Sequence, residues 1–394
     1  YNDVYFYERM DRAVIYFDNA ATTMTKPERV TQALLSALVS FGGAGRGVHP
    51  ASLAAGRAVF EARERIASLL DAPSSSAVSF ALNATMALNI ALQGLVKPGS
   101  TVLTTAASHN SVLRPLFRLR DELGCKVEIV PILPDGSLDY GVYERMLSES
   151  NCALVAVTHA SNVTGDVYDI ARMARAAHAS GALFVLDAAQ TAGSYPLSMK
   201  DLGVDVLCFT GHKSLFGPQG TGGLCVNPSV EIHPLVEGGS GVHSFDERQP
   251  SFMPEALEAG TLNAHGLAGL AAGVAFLQEV GVDNIHRRLS ALTDRFEQGL
   301  CTCQDIEIVG GHNSFGRCGI VAVRAKGKDS SMLADKLAQD FGICTRAGAH
   351  CAPLMHKSLK TEASGVVRFS FSYFNTEEEI DQGINALRSC LENL

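Results

Sequence analysis

Short apolar, β-rich runs alternate with amphipathic stretches between about residues 77 and 226. Helical patterns such as Ser111–Leu123 and Asp169–Ala179 lie between several of the runs, and Gly124 or Gly181 follows as a helix stop. The predicted strands are Val78–Phe80, Thr101–Thr104, Lys126–Val130, Ala153–Thr158, Leu183–Leu186, Val206–Phe209 and Gly223–Val226. Because strands alternate with helices, we expect an α/β fold with parallel strand pairing and helices on both faces of the sheet.

The pattern changes after about residue 265. A long helical region, Leu267–Cys301, precedes a strand-rich piece and a terminal helix that begins at Thr376 with a capping-type signature. The remaining predicted elements are the strands Ile306–Val309, Ile320–Ala325 and Val366–Ser372 and the helix Ser331–Phe341. We therefore predict a large domain over residues 16–265, with an N-terminal segment that can pack on the small domain, and a smaller α+β domain over 266–394.

Length and charge narrow the class of protein. At 394 residues the chain exceeds the roughly 250–300 residues that one core supports, which favours two domains. A net charge of -9 argues against a nucleic-acid partner, since no basic face is available to follow phosphates. No apolar run reaches the roughly 18–20 residues of a membrane span, and no signal peptide is visible, so we expect a cytoplasmic protein without membrane contact. The chain starts at Tyr1, and Met10 is a candidate natural start.

Ten cysteines need an explanation. Four of them lie in or beside apolar strand-like runs, where a small buried hydrophobic residue is expected: Cys125, Cys152, Cys208 and Cys225. There is no CxxC motif, and Cys301 and Cys303 form a CxC pair without a second half, so we expect no metal site. This usage is typical of free thiols in a reducing compartment.

Cys351 lies in a different setting, the glycine- and proline-containing segment Arg346–Pro353 (RAGAHCAP). Nearby Arg346 and His350 are expected to favour the thiolate, which is the nucleophilic form of cysteine. A flexible loop also suits a group that must reach a substrate and then a partner. An exposed cysteine without a function is the alternative interpretation of this residue alone.

Two side chains follow neighbouring predicted strands. Asp187 ends the run that starts at Leu183, and Lys213 follows the strand Val206–Phe209 within a few residues. Ligands of such sheets bind beyond the carboxyl ends of the strands. Pyridoxal phosphate needs an amine for its aldehyde and an acid that keeps its pyridine nitrogen protonated, and this pair supplies both. Taken alone, the two residues are also compatible with an ordinary ion pair.

A phosphate site is predicted at the start of the next helical run. Asn83, Ala84 and Thr85 follow the strand Val78–Phe80, and backbone N–H groups at a helix start bind anions. Thr85 could equally serve only as a helix cap. His109 follows the strand Thr101–Thr104 and can lie flat on a cofactor ring, or it can be a simple polar residue at a strand end.

Seven motifs in order resemble the cysteine desulfurase family, which belongs to the class V, fold-type I pyridoxal-phosphate enzymes. The match runs from about Tyr16 to the C-terminus, and the short RxGxHC loop around Cys351 is similar to the group II branch, which includes selenocysteine-lyase-like enzymes. The motifs are YFDNAATT (16–23), RGVHPAS (46–52), HASNVTG (159–165), DAAQ (187–190), GHKSLFGPQGTG (211–222), EAGTLN (258–263) and RAGAHCAP (346–353).

The resemblance implies cofactor contacts for individual residues. Lys213 would hold pyridoxal phosphate as a Schiff base, Asp187 would pair with its pyridine nitrogen, and Gln190 would bond its phenolate oxygen. His109 would stack on the ring. The phosphate would be bound at the turn that contains Ala84 and by the side chains of Thr85, Thr210, His212 and, from the second subunit of a homodimer, Thr261.

The resemblance also implies substrate contacts and an activity. Asn162 and Arg368 would bind the carboxylate of L-cysteine, and the pocket would be lined by Asn19, His49 and Arg346. Cys351 would attack the substrate sulfur, leaving alanine and a persulfide for a sulfur-acceptor protein. A selenocysteine lyase and a class V aminotransferase are alternatives on the same scaffold. A non-catalytic scaffold of a sulfur-transfer complex is an alternative of another class.

Two positions depart from the family pattern. Ala349 stands where the branch often has a second histidine, and the phosphate turn reads NATM where GTTE or GATE is commoner, which leaves one hydroxyl fewer than in GTTE. The destination of the sulfur stays open among iron–sulfur cluster assembly, molybdenum-cofactor sulfuration and selenium delivery.

Overall fold

The computed structural model describes residues 14–45, 47–311 and 315–392. Arg46, which opens the RGVHPAS motif, and the candidate start Met10 lie outside the described residues. The strands are β1 (Ile15–Tyr16), β2 (Val78–Ala81), β3 (Thr101–Thr105), β4 (Lys126–Val130), β5 (Cys152–Thr158), β6 (Leu183–Asp187), β7 (Val206–Thr210), β8 (Gly222–Val226), β9 (Ile306–Val309), β10 (Ile320–Ala325), β11 (Ile343–Cys344), β12 (Arg346–Gly348) and β13 (Val366–Ser370). The helices are α1 (Glu28–Ser40), α2 (Pro50–Leu70), α3 (Ala84–Leu95), α4 (Asn110–Leu123), α5 (Tyr140–Glu149), α6 (Ile170–Ala179), α7 (Met199–Leu202), α8 (Ala264–Val280), α9 (Val282–Leu300), α10 (Ser330–Phe341), α11 (Pro353–Ser358) and α12 (Glu377–Glu392).

A seven-stranded sheet in the order β2-β8-β7-β6-β5-β3-β4 forms the centre of the molecule. The strands β3 to β7 pair in parallel, and β8 runs antiparallel to both of its neighbours. Apolar side chains bury the sheet on both faces, as in α/β proteins generally. The predicted α/β architecture with a mostly parallel sheet is confirmed, and each predicted strand of this region is present within one residue at either end.

The expected parallel pairing is wrong for β8. Only residues 211–221 separate it from β7, without a helix among them, whereas a parallel return needs a crossover of about a dozen or more residues. Two glycines let β8 lie close to its neighbours. A Cβ on Gly222 would lie 2.7 Å from Asn83 Cα, and one on Gly223 would lie 2.3 Å from the Ser79 carbonyl oxygen. The antiparallel strand therefore packs directly against the turn that precedes α3.

The long predicted helical region is two helices. α8 and α9 meet at an angle of 81°, with Gly281 between them at φ +86°. α8 packs against α1 and α2, which the sequence pattern did not predict. Among the described residues, no single helix has the length and apolar composition of a membrane span, whereas the bent α8–α9 pair meets that criterion when its halves are taken together.

The C-terminal part contains an antiparallel sheet in the order β12-β13-β10-β9. The start of the described chain joins this part, since β1 pairs in parallel with β11 and Asp18 bridges to Ser370. The capping signature at Thr376 is confirmed: its hydroxyl accepts from the Glu379 amide at 3.2 Å, and the Glu379 carboxylate accepts from the Thr376 amide at 3.0 Å.

A buried ion pair fixes the edge of the large sheet. The Glu258 carboxylate accepts from both terminal nitrogens of Arg63, at 2.7 and 2.5 Å, and from the Phe80 amide at 2.6 Å. Arg63 also donates to the Val78 carbonyl at 2.5 Å. Since Phe80 and Val78 belong to β2, the pair attaches the segment before Thr261 to this edge strand.

Candidate active site

A cavity of about 210 Å³ opens at the carboxyl ends of the parallel strands. This is the position at which α/β sheets bind their ligands. It brings together nine of the predicted site residues: Ala84, Thr85, His109, Asn162, Asp187, Gln190, Thr210, His212 and Lys213.

Lys213 and Asp187 lie in this cavity, at the ends of neighbouring strands. Burial lowers the pKa of the Lys213 ammonium to about 8, against the opposing effect of the Asp187 charge and with a smaller lowering from Arg368. Burial also raises the pKa of Asp187. The Ala189 amide, which donates to the carboxylate at 3.0 Å, and the Lys213 charge both lower this pKa and so reduce the increase. The site therefore holds a buried carboxyl group next to an amine that loses its proton unusually easily.

The turn that carries Lys213 is held by the AATT segment near the start of the chain. The Thr23 hydroxyl lies 3.2 Å from the His212 carbonyl oxygen and 3.1 Å from that of Lys213, and the Thr22 hydroxyl donates to His212 at 3.1 Å. Lys26 donates to the Thr23 hydroxyl at 2.8 Å, and burial lowers its pKa to about 8. Sequence reasoning quoted the motif but assigned these side chains no role. The carbonyl groups that Thr22 and Thr23 contact lie about 190 residues away, so the one available signal was the hydroxyl pair followed by a lysine.

An anion cradle forms one wall of the cavity. Asn83 caps α3 by accepting from the Met86 amide at 3.0 Å, which leaves Ala84 and Thr85 in the first turn beside the cavity. Within the described residues, Thr210 Oγ1 and His212 Nδ1 are buried without a hydrogen-bond partner. A buried polar atom without a partner lowers the stability of the fold by about 1–3 kcal/mol. A bound anion that accepted hydrogen bonds from these atoms would remove that penalty. Burial lowers the pKa of His212 to about 4, so its ring is neutral near pH 7.

His109 caps α4 with its ring. Its Nδ1 accepts from the Ser111 amide at 3.0 Å and lies 2.8 Å from the Ser111 hydroxyl oxygen. That hydroxyl also lies 2.8 Å from the Thr85 hydroxyl. Burial, aided by Lys213, lowers the pKa of His109 to about 4, so the ring is neutral. Sequence reasoning missed Ser111, whose position two residues after a histidine cap was the available signal.

Arg368 is almost fully buried and already has partners. One terminal nitrogen donates to the Asn162 carbonyl at 2.9 Å and the other to Asp18 Oδ1 at 2.8 Å, while its Nε is buried without a partner in the described chain. Two of the five guanidinium N–H donors are thus committed, and the Nε donor is among those that remain for a ligand. The side-chain amide of Asn162 donates to the His350 carbonyl at 2.6 Å.

Cys351 is exposed in a turn between β12 and α11. His350 and Cys351 both have left-handed backbones, with φ +49° and +58°, and the Cys351 carbonyl accepts from the Asn110 amide at 2.8 Å. With the Asn162 contact, both residues of the turn are hydrogen-bonded to the wall of the cavity.

The expectation that His350 favours the Cys351 thiolate as a cation is wrong. The His350 side chain is buried, and burial together with Arg368 lowers its pKa to about 3, so the ring is neutral. Its Nε2 donates to the Arg346 carbonyl at 3.0 Å, which fixes the turn. The sequence shows that the two residues are adjacent but cannot show that one side chain points inward. Of the two residues expected to favour the thiolate by a positive charge, only the exposed Arg346 carries one.

Six predicted residues do not line this cavity in the single chain: Asn19, His49, Thr261, Arg346, Cys351 and Arg368. His49 and Thr261 are exposed and line another cavity, of about 730 Å³, between the start of α2 and the segment that follows Glu258. Asn19 is buried and donates to the Tyr16 and Ser370 carbonyls at 3.1 and 3.0 Å, beside a small void that Gln190 also borders. The roles of these residues stay predictions.

Comparison with known families agrees with the geometry. The family model described as Aminotransferase class-V matches residues 15–382. The probable cysteine desulfurase of Methanothermobacter thermautotrophicus is 35% identical over 93% of this chain and 92% of its own length. The cysteine desulfurase CsdA of Escherichia coli is 31% identical over 97% of this chain and 95% of its own. The chain therefore belongs to the class-V aminotransferase family, and within it to the cysteine desulfurases.

Solved structures agree at the level of the fold. The apo cysteine desulfurase of Thermococcus onnurineus NA1 superposes with a TM-score of 0.90 at 32% identity, covering 97% of this chain and 95% of its own. The S-sulfonic acid form of Escherichia coli CsdA gives 0.86 at 28% identity, with 97% and 95% covered. The predicted family is confirmed, and membership implies dependence on pyridoxal phosphate.

Proposed function

We propose that this enzyme binds pyridoxal phosphate at Lys213, converts L-cysteine to L-alanine, and takes the sulfur onto Cys351. The observation that supports this most is the cavity at the strand ends. It combines a lysine of lowered pKa, a buried carboxyl group and unpartnered anion-binding atoms, and the Cys351 turn is bonded to its wall.

The residues present fit the cofactor. Thr210 Oγ1 and His212 Nδ1 lack partners where a phosphate would supply them, and the N-terminus of α3 adds positive potential at the same wall. Asp187 would face the pyridine nitrogen. A proton on that nitrogen would give it a positive charge, which would lower the pKa of Asp187 and oppose the effect of burial. When bound, the cofactor withdraws electrons from the substrate α-carbon, so that sulfur can leave the side chain.

Arg368 and Asn162 would hold the substrate carboxylate. Arg368 Nε is the free donor, and the neighbouring nitrogen can be shared with Asp18, whose side chain is 20% exposed and can turn toward water. A guanidinium suits a planar carboxylate because two parallel N–H bonds fit its two oxygens. Lys213, as a neutral amine, would take the proton from the substrate α-carbon.

Cys351 would carry out the sulfur step. Its thiolate attacks the substrate sulfur, a sulfur–sulfur bond forms, and the carbon–sulfur bond breaks with its electron pair left on carbon. That carbon takes up a proton, so alanine leaves and a persulfide stays on Cys351. The exposed position of the thiol suits a second transfer to an acceptor protein.

His49 and Thr261 would act in a homodimer. Both line the 730 Å³ cavity at a distance from Lys213, and both are exposed in the single chain. A second subunit that covered this region would bring its Thr261 toward the phosphate of the first. Sedimentation analysis of the loaded enzyme tests the dimer.

Two substitutions test the proposal. Lys213→Ala should abolish alanine formation from cysteine, whereas Cys351→Ser should still bind cofactor and cysteine but form no persulfide. Alanine and sulfide are measured side by side with cysteine and with selenocysteine. Full desulfurase turnover by Cys351→Ser would refute the role of Cys351, and alanine formation confined to selenocysteine would identify a lyase instead.

A further inference from the structure

A chain of hydroxyl groups links the anion cradle to His109. The Ser111 hydroxyl lies 2.8 Å from both the Thr85 hydroxyl and His109 Nδ1, and the residue is buried in the cavity wall. Thr85 belongs to α3 and His109 caps α4, so the Ser111 hydroxyl links the starts of these two neighbouring helices. None of the motifs of the chain contains Ser111.

The direction of each hydrogen bond follows from counting protons. His109 Nδ1 accepts from the Ser111 amide at 3.0 Å, so this nitrogen carries no proton of its own. The Ser111 hydroxyl must therefore donate to Nδ1. Its oxygen then has no proton to offer Thr85, and the Thr85 hydroxyl must donate to Ser111.

An anion in the cradle reverses this order. Phosphate oxygens only accept, so Thr85 has to turn its proton toward them. The two hydroxyl oxygens at 2.8 Å then need a proton between them, which Ser111 alone can supply. His109 Nδ1 keeps its bond from the Ser111 amide at 3.0 Å, and the Ser111 hydroxyl oxygen, which no longer has a proton for Nδ1, has to turn away from its 2.8 Å contact with that nitrogen.

We propose that Ser111 is a positioning residue for the phosphate, whose hydroxyl switches its proton from His109 Nδ1 to Thr85 Oγ1 when the anion binds. The inference rests on the proposed cofactor. A Thr85 hydroxyl that accepts one bond while donating another binds its anion more strongly, since linked hydrogen bonds polarise each other.

The test measures ligand affinity of the cofactor-free protein, with pyridoxal phosphate and with pyridoxal, which lacks the phosphate. Ser111→Ala should weaken pyridoxal phosphate roughly fivefold, the effect of one hydrogen bond, and leave the affinity for pyridoxal unchanged. Ser111→Thr should restore binding. Ser331→Ala is the matched control, because Ser331 also stands two residues after a helix cap, here Asp329 of α10, and its amide donates to that cap at 2.8 Å. Ser331 does not belong to the anion cradle. It should change neither affinity.

The outcomes are separable from those of the proposed function. Unchanged pyridoxal-phosphate binding by Ser111→Ala, an equal loss for pyridoxal, or a Ser111→Thr variant no better than alanine overturns the role of Ser111 while the cofactor assignment stands. A wild-type protein that binds neither ligand overturns the cofactor assignment itself. Inorganic phosphate, titrated by calorimetry, provides the second readout and should follow pyridoxal phosphate across the variants.

Discussion

The ionisation of Lys213 is the property of the site that can be measured most directly. Its pKa of about 8, against 10.5 for an ordinary lysine, means that about 9% of the side chains carry a free amine at pH 7, compared with roughly 0.03% for an ordinary lysine. The neutral fraction is therefore raised roughly 300-fold at this pH. Since only the neutral amine attacks an electrophile, the reactivity of Lys213 should follow this fraction.

Competitive labelling of the cofactor-free protein measures it. A trace of acetic anhydride reacts with the protein and with a free lysine amide in the same tube at pH 6 to 10.5, and mass spectrometry quantifies the peptide that contains Lys213. The labelling curve should have its midpoint near pH 8. Asp187→Asn should move it lower still, because the Asp187 charge favours the ammonium form. The exposed Asp201→Asn should leave it in place. A wild-type midpoint at the ordinary lysine value, or an upward shift in Asp187→Asn, would refute the electrostatic reasoning.

Two further predictions concern the ion pair at the edge of the large sheet and the turn that carries Cys351. Glu258→Ala leaves the buried Arg63 guanidinium unpaired and should lower the free energy of unfolding, measured by chemical denaturation, by about 3–5 kcal/mol. The control Glu61→Ala breaks the exposed pair with Arg65 and should lower it by less than about 1 kcal/mol. Similar losses for both variants would contradict the prediction. Asn162→Ala removes the side-chain donor to the His350 carbonyl, so the turn that carries Cys351 should become more mobile. The Asn110 amide, which donates to the Cys351 carbonyl, should then exchange its hydrogen roughly five to ten times faster. Asn284→Ala, which removes an exposed amide bond on α9, is the control, and unchanged Asn110 protection in Asn162→Ala would show that the turn does not depend on it.

Local pattern was sufficient for most of the central sheet. The inner parallel strands are mostly apolar runs, and amphipathic stretches lie between several of them, so these elements could be predicted from short windows of sequence. The direction of β8 could be inferred only from the length of the segment before it. The pairing of β1 with β11 joins residues more than 300 positions apart, and no local pattern encodes such a contact.

The site also contains residues that the sequence could predict and residues that it could not. Lys213 and Asp187 could be placed together because the carboxyl ends of parallel strands meet at one edge of a sheet. Ser111 and Thr23 were not predicted because they contact a hydroxyl and a carbonyl group that are distant in sequence, and Lys26 was not predicted because it contacts Thr23. The charge of His350 was misjudged for a related reason: burial decides it, and burial is a property of the whole fold.

The contacts of Asn162 join the two halves of the proposed chemistry. Its backbone carbonyl holds Arg368, the expected carboxylate site, while its side-chain amide holds the turn that precedes Cys351. A carboxylate that bound Arg368 through Nε and the terminal nitrogen facing Asp18 would leave the bond from the other terminal nitrogen to the Asn162 carbonyl in place. Under the proposed function, the link from the guanidinium to the Cys351 turn would therefore be kept when substrate binds. Because one residue sets both distances, the thiol can be held at a constant position relative to the substrate carboxylate, and the neutral His350 ring packed beneath the turn keeps that position without adding a charge beside the sulfur.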